Sequence, residues 1–256
     1  METGTALIGR HLWLPLILLA PFVGSFLGVL VVRLPTGRPV LAGRSACDRC
    51  GATLKPFDLV PLASWLWLRG RCRFCQGAID PVHPLIEIAA VLVVAWAASV
   101  TAGWVLLATC VFGWLLLTLA AIDWRTYLLP DALTVALALA GLIAAWCFDR
   151  AAFAGHAIAM IAGFAAFAAI ALAYRSLRGR EGLGLGDAKL LAALGAWVSW
   201  QGLPSVVLFA AIFGLAAALA LSLADRALSR TDRIAFGTFL ALGGWLVWLY
   251  GPLQLA

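Results

Sequence analysis

Four cysteines in this sequence have the spacing of metal ligands. They form two Cys-x-x-Cys pairs, "CDRC" and "CRFC", which residues 51–71 separate. Four thiolates at this spacing suit tetrahedral Zn²⁺. The hydrophilic segment that carries them, residues 34–83, is too short to build a large core, so a metal would supply folding free energy. We therefore expect a structural zinc site with no open coordination position, formed by Cys47, Cys50, Cys72 and Cys75.

Two disulfides or a redox-active pair are the alternative interpretations of these cysteines. Structural disulfides are disfavoured in the reducing cytoplasm, and the distribution of Lys and Arg residues places this segment on the cytoplasmic side. A thioredoxin-type site requires a βαβ unit, which the surrounding sequence lacks. Structural zinc is therefore the favoured interpretation.

Two aspartates border apolar segments in a way that can support acid–base chemistry. Asp123 ends the apolar run of "LTLAAIDWRTYLLPD", and Asp187 opens the run that follows in "GLGLGDAKLLAALGAW". An ionisable group within or beside a membrane span is costly and by default a functional hypothesis. Two carboxyl groups held close together share a proton, so one can activate water while the other protonates a carbonyl oxygen. This pairing predicts aspartyl peptide hydrolysis by Asp123 and Asp187.

Glycines surround the second aspartate. Gly182, Gly184 and Gly186 precede it, and Lys189 follows it. Glycine lets the backbone turn tightly and lets an extended substrate approach closely. We therefore take Gly184, Gly186 and Lys189 as supporting residues of the predicted site.

A purely structural interpretation of the two aspartates remains open at this point. Asp187 would make an ordinary helix N-cap, and Asp123 could anchor its helix beside Arg125. A phosphate-binding Gly-x-Gly loop is rejected, because that motif requires a preceding strand, and an arginine-rich loop stands there instead.

The composition indicates which scaffold holds these residues. Of the 256 residues, 64% are hydrophobic and 12% are charged, and the mean hydropathy is +1.02; a soluble domain has about 25% charged residues. We predict an all-α polytopic membrane protein, since a span needs roughly 20 apolar residues. Eight spans are expected: Leu12–Val32, two within Pro84–Ile122 with a turn near Ser99–Gly103, Ala132–Phe148, Ala151–Tyr174, two within Leu190–Ala224 separated at Ser199–Pro204, and Ala235–Tyr250.

These spans predict three parts and an orientation. Residues 1–33 form the first transmembrane helix, residues 34–83 a small zinc-ribbon-like domain, and residues 84–256 a membrane domain of about seven helices. With the N-terminus outside, all of the 18 Lys and Arg residues except Arg10 and Arg150 fall on the inner side. The positive-inside rule therefore places the four-cysteine domain and both aspartates at the cytoplasmic face. It also accounts for the net charge of +6 without nucleic acid as a partner.

In its motifs and their order, the sequence resembles the type IV prepilin peptidases. These are the leader peptidase/N-methyltransferases of bacterial type IV pilus and type II secretion systems. The similarity covers nearly the whole chain, and the Gly-x-Gly-Asp motif and the four cysteines together are specific. The matching segments are "GSFLGVLVVRLP" (Gly24–Pro35), the two cysteine pairs, "HPLIEI" (His83–Ile88), "AIDWRTYLLPDALT" (Ala121–Thr134), "GLGLGDAKLLAALGAW" and "IAFGTFLALGGW" (Ile234–Trp245).

The resemblance implies a bifunctional enzyme of the bacterial inner membrane. Family members cut a short basic leader from a prepilin or pseudopilin, usually after a glycine. They then methylate the new N-terminal residue with S-adenosylmethionine. The family's catalytic aspartates correspond to Asp123 and Asp187, and prepilins and the lipid bilayer are the implied partners.

The chain departs from the family pattern at three places. Gly28 stands where the family usually has asparagine, and Leu59 follows Asp58 where the family often has Asp-Asn. Thr238 follows Gly237 where proline is common. The first two departures fall in the half associated with methylation, so the peptidase prediction rests on the better-matched half.

Two other functions compete with this prediction. A proton-coupled transporter could use Asp123, Asp187 and Glu87 as a relay, but the sequence has no evident internal repeat, and the aspartates lie near one surface. A non-catalytic assembly factor could use the zinc domain to dock a partner. We expect Glu87 to pair with a basic residue of the loop, with contact to substrate or cofactor as the alternative.

Overall fold

The computed structural model describes residues 11–40, 44–179, 184–224 and 234–253. Gly182 and the predicted cytoplasmic loop 225–233 lie outside the described residues. Within the described ranges the regular structure is helical, apart from two isolated β-bridges, and the predicted all-α architecture is confirmed. The α-helices are α1 (Trp13–Arg33), α2 (Ala63–Trp67), α3 (Val82–Val100), α4 (Gly103–Thr126), α5 (Asp131–Phe148), α6 (Phe153–Arg178), α7 (Leu185–Leu223) and α8 (Phe236–Tyr250), with short 3₁₀ turns at Leu34–Thr36 and Pro56–Leu59.

Six helices in the described part of the chain are long and apolar enough to cross a membrane, namely α1 and α3 to α7. The predicted turn near Ser99–Gly103 is present, since α3 ends at Val100 and α4 begins at Gly103. The 39 residues of α7 form two helical segments, because the backbone leaves the helical region at Ser199 (φ 59°, ψ 178°). This break falls at the first residue of the predicted interruption. The apolar helix α8 has 15 residues, fewer than the roughly 20 of a straight crossing.

The chain divides into two compact units, Met1–Thr118 and Leu119–Ala256. In the first unit α1 packs against α3. The two helices approach closely at Gly24, where a Cβ would lie 2.6 Å from the Cα of Glu87. Trp114 of α4 donates a hydrogen bond from Nε1 to the carbonyl oxygen of Ala90 in α3 at 3.1 Å. Two spans thereby hold the residues at the start of α3 in place.

In the second unit α7 is the central helix and packs against α5, α6 and α8. Gly195 of α7 faces the backbone of α6, and a Cβ there would lie 2.6 Å from the carbonyl oxygen of Ala159. On another side, Trp197 donates from Nε1 to the carbonyl oxygen of Leu137 in α5 at 2.8 Å. Small residues and interhelical hydrogen bonds drive helix packing in lipid. This packing fixes the first turn of α7, which carries the Gly-x-Gly-Asp motif.

Replacing Gly195 with alanine tests the closeness of the α6–α7 contact. An added methyl would press on main-chain atoms that cannot rotate away, and overpacking of this kind costs about 1–3 kcal/mol. We expect Gly195→Ala to lower the thermal unfolding midpoint in detergent. Gly214→Ala in the same helix is the matched control, because its Cβ would meet only the Phe239 ring at 3.5 Å. An unchanged midpoint for Gly195→Ala would contradict this packing.

Candidate active site and metal centre

Asp123 lies in the last turn of α4 and is buried, with 5% of its surface exposed. Its Oδ2 accepts a hydrogen bond from the backbone N–H of Thr238 at 2.8 Å. The Thr238 hydroxyl lies 3.2 Å from the same oxygen and 3.1 Å from the carbonyl oxygen of Ala120. Thr238 is the third residue of α8. The carboxylate therefore faces the N-terminus of a helix, where free N–H groups and the helix dipole favour negative charge.

Asp187 is the third residue of α7, and Gly184 occupies the N-cap position. The structural interpretation of Asp187 as the N-cap of its helix is therefore wrong. The half-buried carboxylate of Asp187 folds back toward this glycine, since a Cβ on Gly184 would lie 3.4 Å from its Oδ2. A side chain at position 184 would crowd the acid.

The two aspartates belong to one cluster. The carboxyl groups of Asp123 and Asp187 are close enough to repel each other electrostatically. Leu129 packs beside a glycine near each aspartate, Gly186 and Gly237. A Cβ on Gly186 would lie 3.2 Å from the Cβ of Leu129, and a Cβ on Gly237 would lie 3.0 Å from the Cδ1 of Leu129. The same Cβ on Gly237 would lie 3.0 Å from Oδ2 of Asp123. Gly237 therefore leaves room for the carboxyl group of Asp123, and Gly186 leaves room for Leu129.

Lys189, which the motif placed beside the site, forms an ion pair with Asp131. Its Nζ lies 2.6 Å from Oδ1 of Asp131, at the start of α5. Both side chains are substantially exposed, and such pairs contribute little stability in water. The pair links the start of α5 to α7 close to Asp187.

The four cysteines come together, and their Sγ atoms all lie within 4.8 Å of one another. The two pairs form similar turns. The N–H of Cys47 donates to the carbonyl oxygen of Ala52 at 2.9 Å, and the N–H of Cys72 donates to that of Gly77 at 2.8 Å. Each turn is closed by one antiparallel bridge, Ala46–Thr53 and Arg71–Ala78. This paired arrangement can hold a metal ion at its centre.

The electrostatics of the cluster fit metal binding. Backbone N–H groups of Cys50 and Arg49 lower the pKa of the Cys47 thiol to about 7, which favours the thiolate that binds metals. At Cys50 the backbone of Ala52 favours the thiolate, but burial and hydrogen bonding with Cys75 oppose it and raise the pKa to about 11. Adjacent thiolates repel one another, so full ionisation requires a cation.

Glu87 is buried at the start of α3, with 6% of its surface exposed. Its Oε2 accepts a hydrogen bond from the backbone N–H of Leu62 at 2.7 Å. Among the described residues its partner is therefore a backbone amide and not the basic side chain that we expected. Leu62 has a positive φ of 57°, which is costly for a non-glycine residue. The carboxylate holds this strained turn in place.

Beside the cysteines the first unit encloses a cavity of about 770 Å³, here called the loop cavity, whose walls include Arg33, Asp58, Trp65, His83 and Glu87. Burial alone would raise the pKa of Asp58, but hydrogen bonds from the Arg73 guanidinium and the Lys55 amide lower it below its ordinary value. The Nε1 of Trp65 is buried and has no hydrogen-bond partner among the described residues. The walls thus combine positively and negatively charged side chains, an aromatic surface and an N–H group that has no acceptor among the described residues.

Thr238 is the residue of the aspartate site that the sequence did not predict. It is 115 positions from Asp123, and the sequence marked it only as a departure from the family pattern. The departure was the one available signal, because proline at this position could donate neither hydrogen bond.

Fold and site together define a multi-span membrane protein with two neighbouring aspartates, one in the first turn of α7 and one facing the N-terminus of α8, and with a four-thiol cluster. Two family descriptions match the chain: "Bacterial Peptidase A24 N-terminal domain" over residues 18–101 and "Type IV leader peptidase family" over residues 110–219. Three proteins named "Prepilin leader peptidase/N-methyltransferase" are similar over most of their length. The one from Aeromonas salmonicida (strain A449) is 37% identical and covers 90% of this chain and 87% of that protein. The one from Dickeya chrysanthemi is 38% identical (91% and 91%), and the one from Pseudomonas aeruginosa is 36% identical (92% and 89%).

The chain belongs to the type IV leader peptidase family. The resemblance drawn from its motifs is confirmed, and so is its assignment as a membrane enzyme of the A24 peptidase type. No solved structure matches the chain.

Metal content tests the cysteine cluster. We expect the purified protein to contain about one metal ion per chain, since four thiolates form one tetrahedral site. Cys72→Ser should lose that metal, because Cys72 is the buried member of the cluster. The control is Cys147→Ser, whose thiol lies outside the cluster in α5. Metal analysis by mass spectrometry that finds an unchanged content in Cys72→Ser would rule out the site.

Proposed function

We propose that this protein cleaves the basic leader from type IV prepilins or pseudopilins and that Asp123 and Asp187 are the catalytic pair. The observation that carries the proposal is that two carboxyl groups from different helices are near enough to interact electrostatically, with Leu129 packed beside the neighbouring glycines of both. The names of the relatives support the substrate. The buried position of Asp123 supports a catalytic role, since a carboxylate within a membrane helix is otherwise a cost.

The pair supports hydrolysis by general acid–base catalysis. The ionised carboxylate takes a proton from a water molecule, whose oxygen attacks the scissile carbonyl carbon. The protonated carboxyl donates its proton to the carbonyl oxygen, which gives a tetrahedral intermediate. Collapse of the intermediate breaks the C–N bond and re-forms the carbonyl, whose proton returns to the acid carboxyl, and the amine takes the proton that came from water from the other carboxyl. Like charges this close cannot both ionise cheaply, which favours one proton shared by the pair.

The surroundings of Asp187 suit an extended substrate. Gly184 is exposed and has an extended backbone (φ −73°, ψ 143°) directly before α7. Without a side chain at this position, a peptide strand can approach the carboxyl group closely. A prepilin presents its cleavage site where its apolar helix enters the bilayer, and the first turn of a membrane helix is the matching depth.

We propose that the cysteine domain and the aspartate pair face the cytoplasm and that the protein resides in the bacterial inner membrane. The support is the charge asymmetry of the loops and the basic last turns of α1 and α6, which carry Arg33, Arg175 and Arg178. Positive charge near the ends of spans is typical of the cytoplasmic side.

We propose that the metal of the four-cysteine cluster is zinc in a structural role. A set of four thiolates selects Zn²⁺ over hard cations such as Mg²⁺ and Ca²⁺. Cys47, Cys50, Cys72 and Cys75 would use all four tetrahedral positions, which leaves none for a water or a substrate. The ion would therefore stabilise the two turns and take no part in hydrolysis.

We further propose that the enzyme methylates the new N-terminal amine with S-adenosylmethionine, as the names of its relatives suggest. The loop cavity fits this cofactor, because its volume of about 770 Å³ lies within the range of about 300–1,000 Å³ for small-molecule sites. Trp65 offers an aromatic surface and an unused N–H donor. Glu87 and Arg33 would surround the charged groups of the cofactor, which supplies an activated methyl group when bound.

Asparagine variants test the catalytic pair. We expect Asp123→Asn and Asp187→Asn each to lower cleavage of a synthetic prepilin with a basic leader and a Gly–Phe junction by roughly 10³-fold or more, because neither variant can share the proton. The assay uses purified protein in detergent with labelled S-adenosylmethionine, so that methyl transfer is read from the same product. The matched control is Asp149→Asn, an exposed aspartate that bonds the N–H of Ala152. Normal cleavage by either variant of the pair would contradict the proposal.

Labelling in cells tests the orientation. In a Cys147→Ser background, a thiol reagent that cannot cross the inner membrane should label Arg150→Cys in intact cells. It should label Phe57→Cys, whose parent side chain is 80% exposed in the cysteine domain, only in inverted vesicles. Labelling of Phe57→Cys in intact cells would reverse the orientation.

A further inference from the structure

We infer that Thr238 is a positioning residue that holds Asp123 as the hydrogen-bond acceptor of the pair, so that Asp123 is the general base and Asp187 carries the proton. This inference rests on the proposed peptidase function. It assigns the roles of base and acid to Asp123 and Asp187, two residues that the sequence motifs do not distinguish.

The donors around Asp123 are the first part of the argument. An N–H can only donate a hydrogen bond, and the N–H of Thr238 points at Oδ2 of Asp123 at 2.8 Å. Its other acceptor, the carbonyl oxygen of Ala235, is farther away at 3.2 Å. The N-cap residue of α8 is Ala235, which has no polar side chain. Asp123 therefore provides from α4 the anionic cap that α8 lacks, and this contact favours its ionised form.

The Thr238 hydroxyl adds a donor that can respond to charge. Its Oγ1 is within hydrogen-bond distance of Oδ2 of Asp123 (3.2 Å) and of the carbonyl oxygen of Ala120 (3.1 Å). The hydroxyl has one proton, and the carbonyl can only accept. When Asp123 is ionised, the proton can turn toward the carboxylate; when Asp123 takes a proton from water, the hydroxyl can turn toward Ala120. The residue thus stabilises the base before the proton transfer and releases it afterwards.

Asp187 has a different environment. Its carboxyl group has one backbone donor among the described residues, the N–H of Gly184, and no side-chain donor, and the charge that faces it is that of Asp123. Lys189, two residues further along α7, is paired with Asp131. The helix α8 contributes no charged side chain, and Asp123 faces Asp187 as its titratable neighbour. With the donors concentrated on Asp123, a proton shared by the pair is better placed on Asp187.

Three substitutions at position 238 test the positioning role. Thr238→Ser keeps the N–H and the hydroxyl, Thr238→Val keeps the N–H and the shape, and Thr238→Pro removes both donors. Because a hydrogen bond to a charged group is worth roughly 10- to 100-fold in rate, we expect Thr238→Val to lower kcat by about that factor with KM unchanged. Thr238→Ser should stay within about 2-fold of wild type, and Thr238→Pro should be at least as slow as Thr238→Val.

A buried threonine outside the site separates this role from loss of packing. Thr134 of α5 is buried, and its hydroxyl bonds the backbone oxygens of Pro130 and Asp131 at the start of that helix. Thr134→Val should leave kcat unchanged. Thermal midpoints measured for every variant identify one that fails to fold. If Thr238→Val folds and cleaves at the wild-type rate, or if only KM changes, the positioning role is refuted.

An activated substrate tests which aspartate is the acid. With hydroxylamine as the nucleophile and a phenyl ester in place of the scissile amide, no proton has to be removed from water and the leaving group needs no proton, whereas the carbonyl oxygen still takes a proton from the acid. Asp123→Asn should then regain at least roughly 10-fold of the rate that it loses on the amide with water, and Asp187→Asn should not. Recovery by Asp187→Asn alone, or by neither variant, would refute the assignment. Failure of wild type to cleave the prepilin, or normal prepilin cleavage by either asparagine variant, would instead refute the proposed function.

Discussion

The second unit depends on one electrostatic constraint: two carboxyl groups close enough to repel each other belong to helices that cross the membrane. Charge at such a depth is tolerated only where hydrogen-bond donors or a shared proton compensate it. Asp123 meets this requirement at the N-terminus of α8, and Asp187 lies in the first turn of α7. Helix N-termini supply positive potential and free N–H groups without adding a basic side chain, which would neutralise the pair and remove its acid–base capacity.

Glycine residues make the placement of the two carboxyl groups possible, both beside the carboxyl groups and between the packed helices. At the site, Gly184 and Gly237 have no side chains that would press on the carboxyl groups of Asp187 and Asp123. Along the helices, Gly195 allows α6 and α7 to approach until main-chain atoms nearly touch. The first effect gives a peptide access to the acids, and the second fixes the helix that carries Asp187. Rigid placement of this kind is what general acid–base catalysis requires, because proton transfer depends on hydrogen-bond distances.

The sequence predicted the features that depend on local spacing or on membrane thickness. Each Cys-x-x-Cys turn is a local structure, and four thiols that bind one metal must lie together; the turn before Gly103 and the break at Ser199 follow from the length of a span. Contacts between distant segments were not predictable. Thr238 meets Asp123 only through the packing of α8, and Glu87 bonds a backbone N–H that is exposed by the unusual conformation of Leu62. Hydrophobic patterns specify which residues enter the membrane, but not the rotation of one helix against another.

The central claim is that the two carboxyl groups act as one catalytic unit. A double-mutant cycle tests this claim most directly, with single-turnover cleavage measured at high enzyme concentration for wild type, Asp123→Asn, Asp187→Asn and the double variant. Groups that share one proton lose their function together, so the double variant should be no slower than the slower single variant. If the two losses multiply instead, the aspartates act independently, and the account of a shared-proton pair is wrong.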